Sequence, residues 1–205
     1  MKQLRNNAIL CNGKYKIERV LGQGGFGITY LAKQKVSVAG ALGTIDAEIE
    51  VTIKEFFMKE LCNRDEASSM VTVPSTGSAE LVEKFRQKFI KEAKNISKLT
   101  HPYIIKVLDV FEENGTAYYV MEYINGGSLS DLIEKKGSLS EDETLIYTRQ
   151  IASALQYIHA HNMNHLDVKP GNVLLRQNGD VVLIDFGCLR IMMLRVNRPR
   201  VVLLE

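Results

Sequence analysis

The stretch NHLDVKPGNVLL, residues 164–175, places four polar side chains ahead of a short apolar run. His165, Asp167, Lys169 and Asn172 lie close together in it, at spacings of two and three residues. The segment VKPGN favours a turn, because proline fixes φ while glycine and asparagine tolerate unusual backbone angles. On this stretch alone, a polar loop leading into a strand and a reactive site are both open explanations.

The composition limits the class of protein. The 205 residues are 45% hydrophobic and 24% charged, which fits one large globular domain or two small lobes. The net charge of +2 gives no basic field that would indicate nucleic-acid binding. The three cysteines are far apart and form no C-x-x-C pair, which favours reduced thiols over disulfides or zinc. They are Cys11, Cys62 and Cys188.

The sequence contains no segment typical of export or of membrane insertion. The N-terminal residues MKQLRNNAIL are too polar for a signal peptide. No apolar run approaches the roughly 20 residues that cross a bilayer. We therefore expect a cytoplasmic protein without a membrane or nucleic-acid partner.

Upstream of the opening stretch, apolar and polar residues alternate as in a β-sheet. Strands are predicted at 15–21, 28–32, 48–56, 104–111 and 117–123. Asn114-Gly115 is a hairpin signal between the last two. The glycine cluster GQGGFG, 22–27, lies between the first two strands, and a Gly-Ala-rich connection at 39–43 precedes the third.

Three helices are predicted around these strands. After an irregular insertion at 59–78, a helix over about 79–98 has Ser78 as N-cap and an apolar stripe of Phe85, Phe89, Ala93 and Ile96. A short helix spans 129–136, between a Ser128 cap and Gly137. A long helix over about 141–161 starts with the Ser140–Glu143 capping box, and its expected buried stripe is Leu145, Ile151, Leu155 and Ile158.

The opening stretch follows that helix and leads into a predicted hairpin. Its strands are VLL, 173–175, and VVLID, 181–185, with a turn at Asn178-Gly179.

The glycine cluster has the spacing G-x-G-x-x-G at Gly22, Gly24 and Gly27. Alone it is weak, and its dinucleotide-binding version would open a helix directly. Here a strand follows, so a strand–loop–strand arrangement fits better. Such a loop lets backbone N–H groups approach phosphates without Cβ interference. Phe26 at its tip could cover a bound phosphate from water.

Several charged residues elsewhere fit phosphate chemistry. Lys54 ends a V-T-I-K strand, and Glu92 lies on the first helix; together they could form an ion pair. Without context an ordinary exposed strand lysine is the commoner case, and Glu92 could equally be a solvated surface residue. Asp185 ends an apolar strand and, with Asn172, offers the oxygen ligands that Mg²⁺ prefers. Asp167 could then orient a hydroxyl nucleophile, and Lys169 could neutralise the phosphoryl group in transfer.

Taken together, these pieces resemble the eukaryotic-type serine/threonine protein kinases, including bacterial ones. The matching segments occur in family order as LGQGGFGITY, VTIK, Glu92 in KEAKNISKL, VMEYINGGSL, HLDVKPGN and IDFG. The resemblance covers about residues 14–187. It implies an α+β, two-lobe fold with a β-rich N-lobe over 1–123, which carries one long helix. A helical C-lobe follows over 124–187.

The resemblance also implies ATP and Mg²⁺ as cofactors and a protein Ser/Thr hydroxyl as substrate. Leu21 and Thr29 are expected above the adenine, with Leu174 beneath it and Met121 as gatekeeper. The backbones of Glu122 and Ile124 are expected to bond the adenine edge. The full expected nucleotide set is Leu21, Gly22, Gly24, Gly25, Phe26, Gly27, Thr29, Thr52, Lys54, Glu92, Met121, Glu122, Ile124 and Leu174.

The chain departs from the family pattern in two site regions. Leu166 replaces the arginine that in the family binds an activation-loop phosphate, so the resemblance implies a kinase that does not need this switch. Thr29 and Thr52 replace the usual valine and alanine over the adenine. A buried hydroxyl without a partner costs about 1–3 kcal/mol, so nucleotide affinity should drop if either hydroxyl is unpaired.

The segment after D-F-G departs further. The family continues through an A-P-E segment and several helices, whereas residues 188–205 read CLRIMMLRVNRPRVVLLE and contain no Ser, Thr or Tyr. We expect a domain truncated after D-F-G, with an incomplete C-lobe and an atypical tail at 188–205. The exposed lobe would favour self-association unless the tail covers it. A nucleotide-binding regulatory or interaction module without phosphoryl transfer, or a gene remnant, remain the alternatives.

Overall fold

A computed structural model describes residues 2–40 and 43–186, which fall into two compact units. The first unit comprises Met1–Thr100 and Ile105–Ile124, and the second comprises His101–Ile104 and the chain from Asn125 onward. Gly187, Cys188 and the predicted tail at 188–205 lie outside the described residues.

The first unit is built on a six-stranded antiparallel sheet with the strand order β1-β2-β3-β4-β8-β7. All five strands predicted in this part of the chain are present. The strands of this unit are β1 (Ile9–Leu10), β2 (Tyr15–Gln23), β3 (Gly27–Gly40), β4 (Gly43–Phe56), β5 (Asn63–Arg64), β6 (Val71–Thr72), β7 (Val107–Glu113) and β8 (Thr116–Glu122).

The β3–β4 hairpin is longer than predicted. Gln34 is the last β3 residue paired with β2, and residues 35–40 pair only with β4. Residues 39, 40 and 43 of the expected Gly-Ala connection are therefore strand residues of this hairpin. At the other hairpin, Asn114 and Gly115 have φ of 52° and 68°. Two successive positive φ angles are what a two-residue type I′ turn requires, so that turn prediction is confirmed.

Helix α1 (Thr76–Ile96) begins earlier than predicted. Its N-cap is Ser75 rather than Ser78, whose backbone N–H donates to the Ser75 carbonyl. The Ser78 prediction was wrong because Ser75 and Ser78 are both residue types that favour the N-cap position, and the local sequence does not show at which of them the helix begins. The predicted stripe from Phe85 to Ile96 is buried. The Phe89 ring lies 4.9 Å from that of Tyr119 on β8, so this stripe packs on one face of the sheet.

The insertion before α1 is not wholly irregular. Its middle forms a small antiparallel hairpin, in which β5 pairs with β6.

The second unit contains two α-helices and a hairpin among its described residues. Both helices begin at the predicted caps: the side chains of Ser128 and Ser140 accept hydrogen bonds from the third residue of each helix, and the reciprocal capping-box bonds are present. Gly137 has φ of +81° and ends the shorter of these two helices, as expected. The elements are α2 (Leu129–Lys136), α3 (Glu141–Ala160), a 3-10 turn (Pro170–Asn172), β9 (Val173–Leu175) and β10 (Val181–Leu183).

Only the C-terminal half of α3 is packed among the described residues. Gln150 bonds Asp180 and the Val181 backbone N–H at 2.7 and 2.8 Å, which joins this half to β10. Ile158 is fully buried, whereas Leu145 is 45% exposed. The prediction that Leu145 is buried was wrong, since its half of the helix lies before the part that reaches the hairpin. No helix of the described chain is long and apolar enough to cross a membrane.

Candidate active site

The glycine-rich loop between β2 and β3 has an exposed backbone at three positions. The Gly24 N–H donates to the Gly27 carbonyl at 2.9 Å, which closes the loop. A Cβ at Gly22, Gly24 or Gly25 would meet no atom within 4 Å, so the loop is open at these positions. At Gly27 a Cβ would lie 2.7 Å from the Glu55 carbonyl oxygen, so glycine is needed there for β3 to approach β4. The open loop backbone can receive phosphate oxygens.

The tip of this loop is anchored rather than free. The half-buried Phe26 ring lies 5.7 Å from the Phe85 ring on α1. The carbonyls of Phe26 and Gly25 accept hydrogen bonds from the N–H groups of Phe57 and Lys59, at 3.0 and 3.1 Å. The loop is therefore fixed to the segment that follows β4. A role for Phe26 in covering phosphate stays a prediction.

Lys54 lies at the middle of the sheet, paired with Thr29 on β3 and with Tyr119 on β8. Its Nζ is 5.9 Å from the centre of the Tyr119 ring. Thr52, two residues earlier on β4, pairs with the buried Met121. Because paired residues and residues two apart share a sheet face, the structure brings these predicted nucleotide residues to one face.

Glu92 lies on the helix that covers this same face. It is half-buried, one turn beyond Phe89, whose ring contacts Tyr119, the neighbour of Lys54 in the sheet. Glu92 is therefore not a fully solvated surface charge. The Lys54–Glu92 ion pair remains a prediction that this placement favours.

The predicted adenine-edge residues, Glu122 and Ile124, lie at the end of β8 and just after it. The Glu122 N–H donates to the Lys106 carbonyl, and a Glu122 carboxylate oxygen accepts from the Lys106 N–H, both at 3.1 Å. Ile124 is buried, and Leu21 on β2 is 37% exposed. In the second unit, Leu174 is half-buried on β9, between two buried neighbours.

The second unit brings Asp167, Lys169 and Asn172 into direct contact. One carboxylate oxygen of Asp167 accepts hydrogen bonds from Lys169 Nζ and Asn172 Nδ2, both at 3.0 Å. Asn172 Nδ2 also donates to the Asp167 carbonyl at 2.8 Å. Asn172 is buried, Lys169 is about half exposed, and the Asp167 side chain is 18% exposed. The carboxylate is thus oriented by two donors and still reaches solvent, as a group that acts on a substrate hydroxyl must.

His165 supports this loop from within. Its imidazole is buried, and Nε2 lies 2.8 Å from the Ile184 carbonyl, to which it donates. The ring packs 4.8 Å from that of Phe186. Burial lowers the pKa of His165 below its usual value, so the neutral ring is favoured and Nδ1 faces the Asp167 N–H at 3.4 Å. The sequence placed His165 in the polar stretch without a role; a histidine two residues before the reactive aspartate was the available signal.

Two residues of this region adopt left-handed backbone angles. Leu166 has φ of +67° and Asp185 has φ of +58°, which is uncommon outside glycine and costs of order 1–3 kcal/mol each. Leu166 is also 56% exposed. Such strained positions gather at functional sites, which favours a reactive role for this segment.

The predicted magnesium ligands Asn172 and Asp185 lie on segments that a backbone hydrogen bond joins. The Ile184 N–H donates to the Asn172 carbonyl at 2.9 Å, which ties the segment before Asp185 to Asn172. Asn172 Nδ2 donates to Asp167, so the amide oxygen of Asn172 is the atom predicted to bind the cation. Among the described residues no group of three His, Cys, Asp or Glu side chains forms a metal cluster. Mg²⁺ commonly takes only one or two protein oxygens and fills its shell with phosphate and water.

Comparison with known protein families decides the assignment. The family model described as protein kinase domain matches residues 60–202, more than half of the chain. The chain belongs to the protein kinase family. This kinase chain is 32% identical over 176 residues to serine/threonine-protein kinase PrkC of Bacillus subtilis, covering 86% of the chain and 23% of that relative.

A second relative and a solved structure agree with this assignment. The kinase chain is 28% identical over 190 residues to serine/threonine-protein kinase B of Synechocystis sp., covering 92% of the chain and 29% of the relative. It therefore spans less than a third of either relative. The solved structure described as PpkA-294 apo form matches with a TM-score of 0.81 at 24% identity, over 96% of this chain and 67% of that one. This likeness confirms the kinase fold that the motifs predicted.

Proposed function

We propose that this chain transfers the γ-phosphate of ATP to serine or threonine hydroxyls of proteins, with Mg²⁺. The observation that carries the proposal is the Asp167 carboxylate, held at 3.0 Å by both Lys169 and Asn172. A carboxylate fixed in this way can accept the proton of an attacking hydroxyl. Lys169, about half exposed, would neutralise the transferring phosphoryl group.

The first unit supplies the proposed nucleotide set. The glycine-loop backbone would receive phosphate oxygens, Lys54 would bind phosphate, and Glu92 would orient Lys54. The adenine would contact Leu21, Thr29, Thr52 and Met121, and its edge would bond the backbone of Glu122 and Ile124. The shared sheet face of Lys54, Thr29, Thr52 and Met121 supports this part of the proposal.

The second unit supplies the rest. Leu174 would contact the adenine. Asn172 and Asp185 would hold Mg²⁺, which neutralises phosphate charge when bound. The exposed Leu166 cannot bind an activation-loop phosphate, so we propose activity that does not depend on phosphorylation of that loop. We further propose a cytoplasmic site of action, since Cys11 and Cys62 are free thiols.

Two measurements on the purified chain test the proposal. The first is a thermal melt with and without Mg-ATP: ligand at 100 times its dissociation constant stabilises by about 2.7 kcal/mol. At about 2–4 °C per kcal/mol, the midpoint should rise by about 5–11 °C. The second is transfer of labelled γ-phosphate to a generic acceptor protein.

The variant Asp167→Asn separates binding from chemistry. It should lower transfer at least about 100-fold, the lower end of general-base contributions, while keeping the Mg-ATP shift. Asp142→Asn, an exposed aspartate at the start of α3, is the matched control and should leave transfer unchanged. Equal transfer by wild type and Asp167→Asn would refute the assigned role. A Mg-ATP shift without transfer by the wild type would instead indicate a nucleotide-binding module.

A further inference from the structure

A fully buried carboxylate in the first unit is not used by the proposed chemistry. Glu55 follows Lys54 on β4 and is 0% exposed. Its two oxygens accept hydrogen bonds from Tyr30 on β3 at 2.7 Å and from Tyr118 on β8 at 2.8 Å. The same carboxylate forms an ion pair with Arg64 at 2.5 Å. Glu55 thus joins three strands of the sheet to an arginine from the insertion.

Arg64 is the centre of a second set of bonds. Its side chain is 2% exposed, and it donates to the carbonyls of Lys2 at 3.0 Å and Ser69 at 2.7 Å. Burial alone would lower the pKa of Arg64, but the charge and hydrogen bond of Glu55 raise it above the usual value. Arg64 therefore stays charged and ties the N-terminal residues and the insertion to β4.

The segment that Arg64 holds, residues 57–75, is here named the strap. Lys54 and Glu55 are consecutive on β4, so their side chains point to opposite faces of the sheet. Helix α1 covers the Lys54 face, and Arg64 of the strap meets Glu55 on the other. The strap also bonds the hairpin turn through the Val71 N–H and the Asn114 carbonyl, at 2.8 Å.

Both ends of the strap reach the proposed nucleotide residues. At its start, the N–H groups of Phe57 and Lys59 bind the carbonyls of Phe26 and Gly25 in the glycine-rich loop. At its end, Ser75 is the N-cap of α1, the helix that carries Glu92. A displacement of the strap would therefore move the loop and the start of the helix together.

We propose that Glu55 and Arg64 are positioning residues: their buried pair fixes the strap, and the strap sets the glycine-rich loop and α1 for nucleotide. This inference rests on the proposed function, because it concerns the same ATP-binding residues. The two side chains meet on the sheet face opposite Lys54, so they act on the nucleotide set through the strap.

The test uses the full chain with the double substitution Glu55→Gln/Arg64→Met. Removing one partner would leave an uncompensated buried charge, whereas removing both avoids that penalty. The introduced glutamine can still accept from a tyrosine, but the introduced methionine donates to neither the Lys2 nor the Ser69 carbonyl. Lys14→Met is the matched control, because Lys14, in the turn before β2, forms an ion pair with Asp109 of β7 at 2.6 Å and is not a strap residue. Should the double variant not fold, Arg64→Lys keeps the charge and loses the forked donors, and takes its place.

Two readouts decide the outcome. Amide hydrogen exchange of Phe57, Lys59 and Ser78, whose N–H groups are hydrogen-bonded at the two ends of the strap, should become at least about tenfold faster, while the central β4 and β8 amides stay within twofold. The dissociation constant of Mg-ATP should rise at least about tenfold. Lys14→Met should change neither. Exchange that rises uniformly through the sheet, or that stays within twofold with unchanged Mg-ATP affinity, overturns the proposal. If the wild type itself binds no Mg-ATP, the proposed function fails, and the local exchange rates still decide whether the pair positions the loop.

Discussion

Gly126, between β8 and α2, approaches another backbone segment too closely for a side chain. A Cβ placed there would lie 2.1 Å from the Leu175 carbonyl oxygen and 2.8 Å from its carbonyl carbon. Ordinary contacts of this kind are longer than 3 Å, so Gly126→Ala must move β9 or the Gly126 segment by roughly 1 Å. The neighbouring hydrogen bond from the Leu175 N–H to the Gly127 carbonyl, at 3.0 Å, lies in the path of that movement.

The magnitude follows from these two contacts. Forcing extra volume into a packed site costs about 1–3 kcal/mol. Loss of one backbone hydrogen bond adds about 0.5–1.5 kcal/mol. Replacing glycine also reduces the conformational entropy of the unfolded chain, which stabilises the folded protein by about 0.4–1 kcal/mol. Gly171→Ala gains the same restriction at a position where a Cβ meets nothing within 4 Å, so it is the matched control.

The assay is a thermal melt of the two variants side by side. The shared unfolded-state term cancels, so Gly126→Ala should be less stable than Gly171→Ala by about 1.5–4.5 kcal/mol. At about 2–4 °C per kcal/mol, the midpoints should differ by about 3–18 °C. Equal midpoints within about 1 °C would show that the close approach of Gly126 to β9 does not exist. Since β9 carries Leu174, which we propose to contact the adenine, a stable Gly126→Ala should also bind Mg-ATP more weakly.

Three further expectations concern stability. Ser140→Ala removes a capping-box bond and should cost about 1 kcal/mol in a denaturant melt, whereas Ser75→Ala should cost much less, because Ser75 makes no side-chain cap bond. Tyr118→Phe should destabilise by about 1–3 kcal/mol by the same measure, because the buried Glu55 loses a donor. The pKa of His165 is lower in the folded protein than in the unfolded chain, so as the pH falls the unfolded chain takes up the proton at a higher pH. The stabilising contribution of neutral His165 to the free energy of unfolding is therefore complete above about pH 6.5 and is lost as the pH falls toward the folded-state pKa. Melts from pH 8 to pH 5 should show this loss, and His165→Gln should show a shallower one.

Much of the candidate site was predictable because its residues are close in sequence. Asp167, Lys169 and Asn172 lie within six positions, so a single loop brings them together. Lys54 and Thr29 were both predicted as nucleotide residues from the motifs, whereas their pairing across β3 and β4 came from the structure. His165 was less predictable in its role. Its partner is a backbone carbonyl at Ile184, and no side-chain pattern in the sequence marks a backbone acceptor.

The sequence by itself determined the local elements and the family. Caps at Ser128 and Ser140, and turns such as Asn114-Gly115, act through neighbouring residues, so their chemistry is written in short segments. Motifs in a fixed order likewise identified a protein kinase. The tertiary structure alone decided that Ser75 is the N-cap of α1, that Leu145 is exposed, and that Glu55 meets Arg64 in a buried pair. An apolar stripe predicts which face of a helix can be buried, but the segment that covers it, and how far along the helix it reaches, are set by distant parts of the chain.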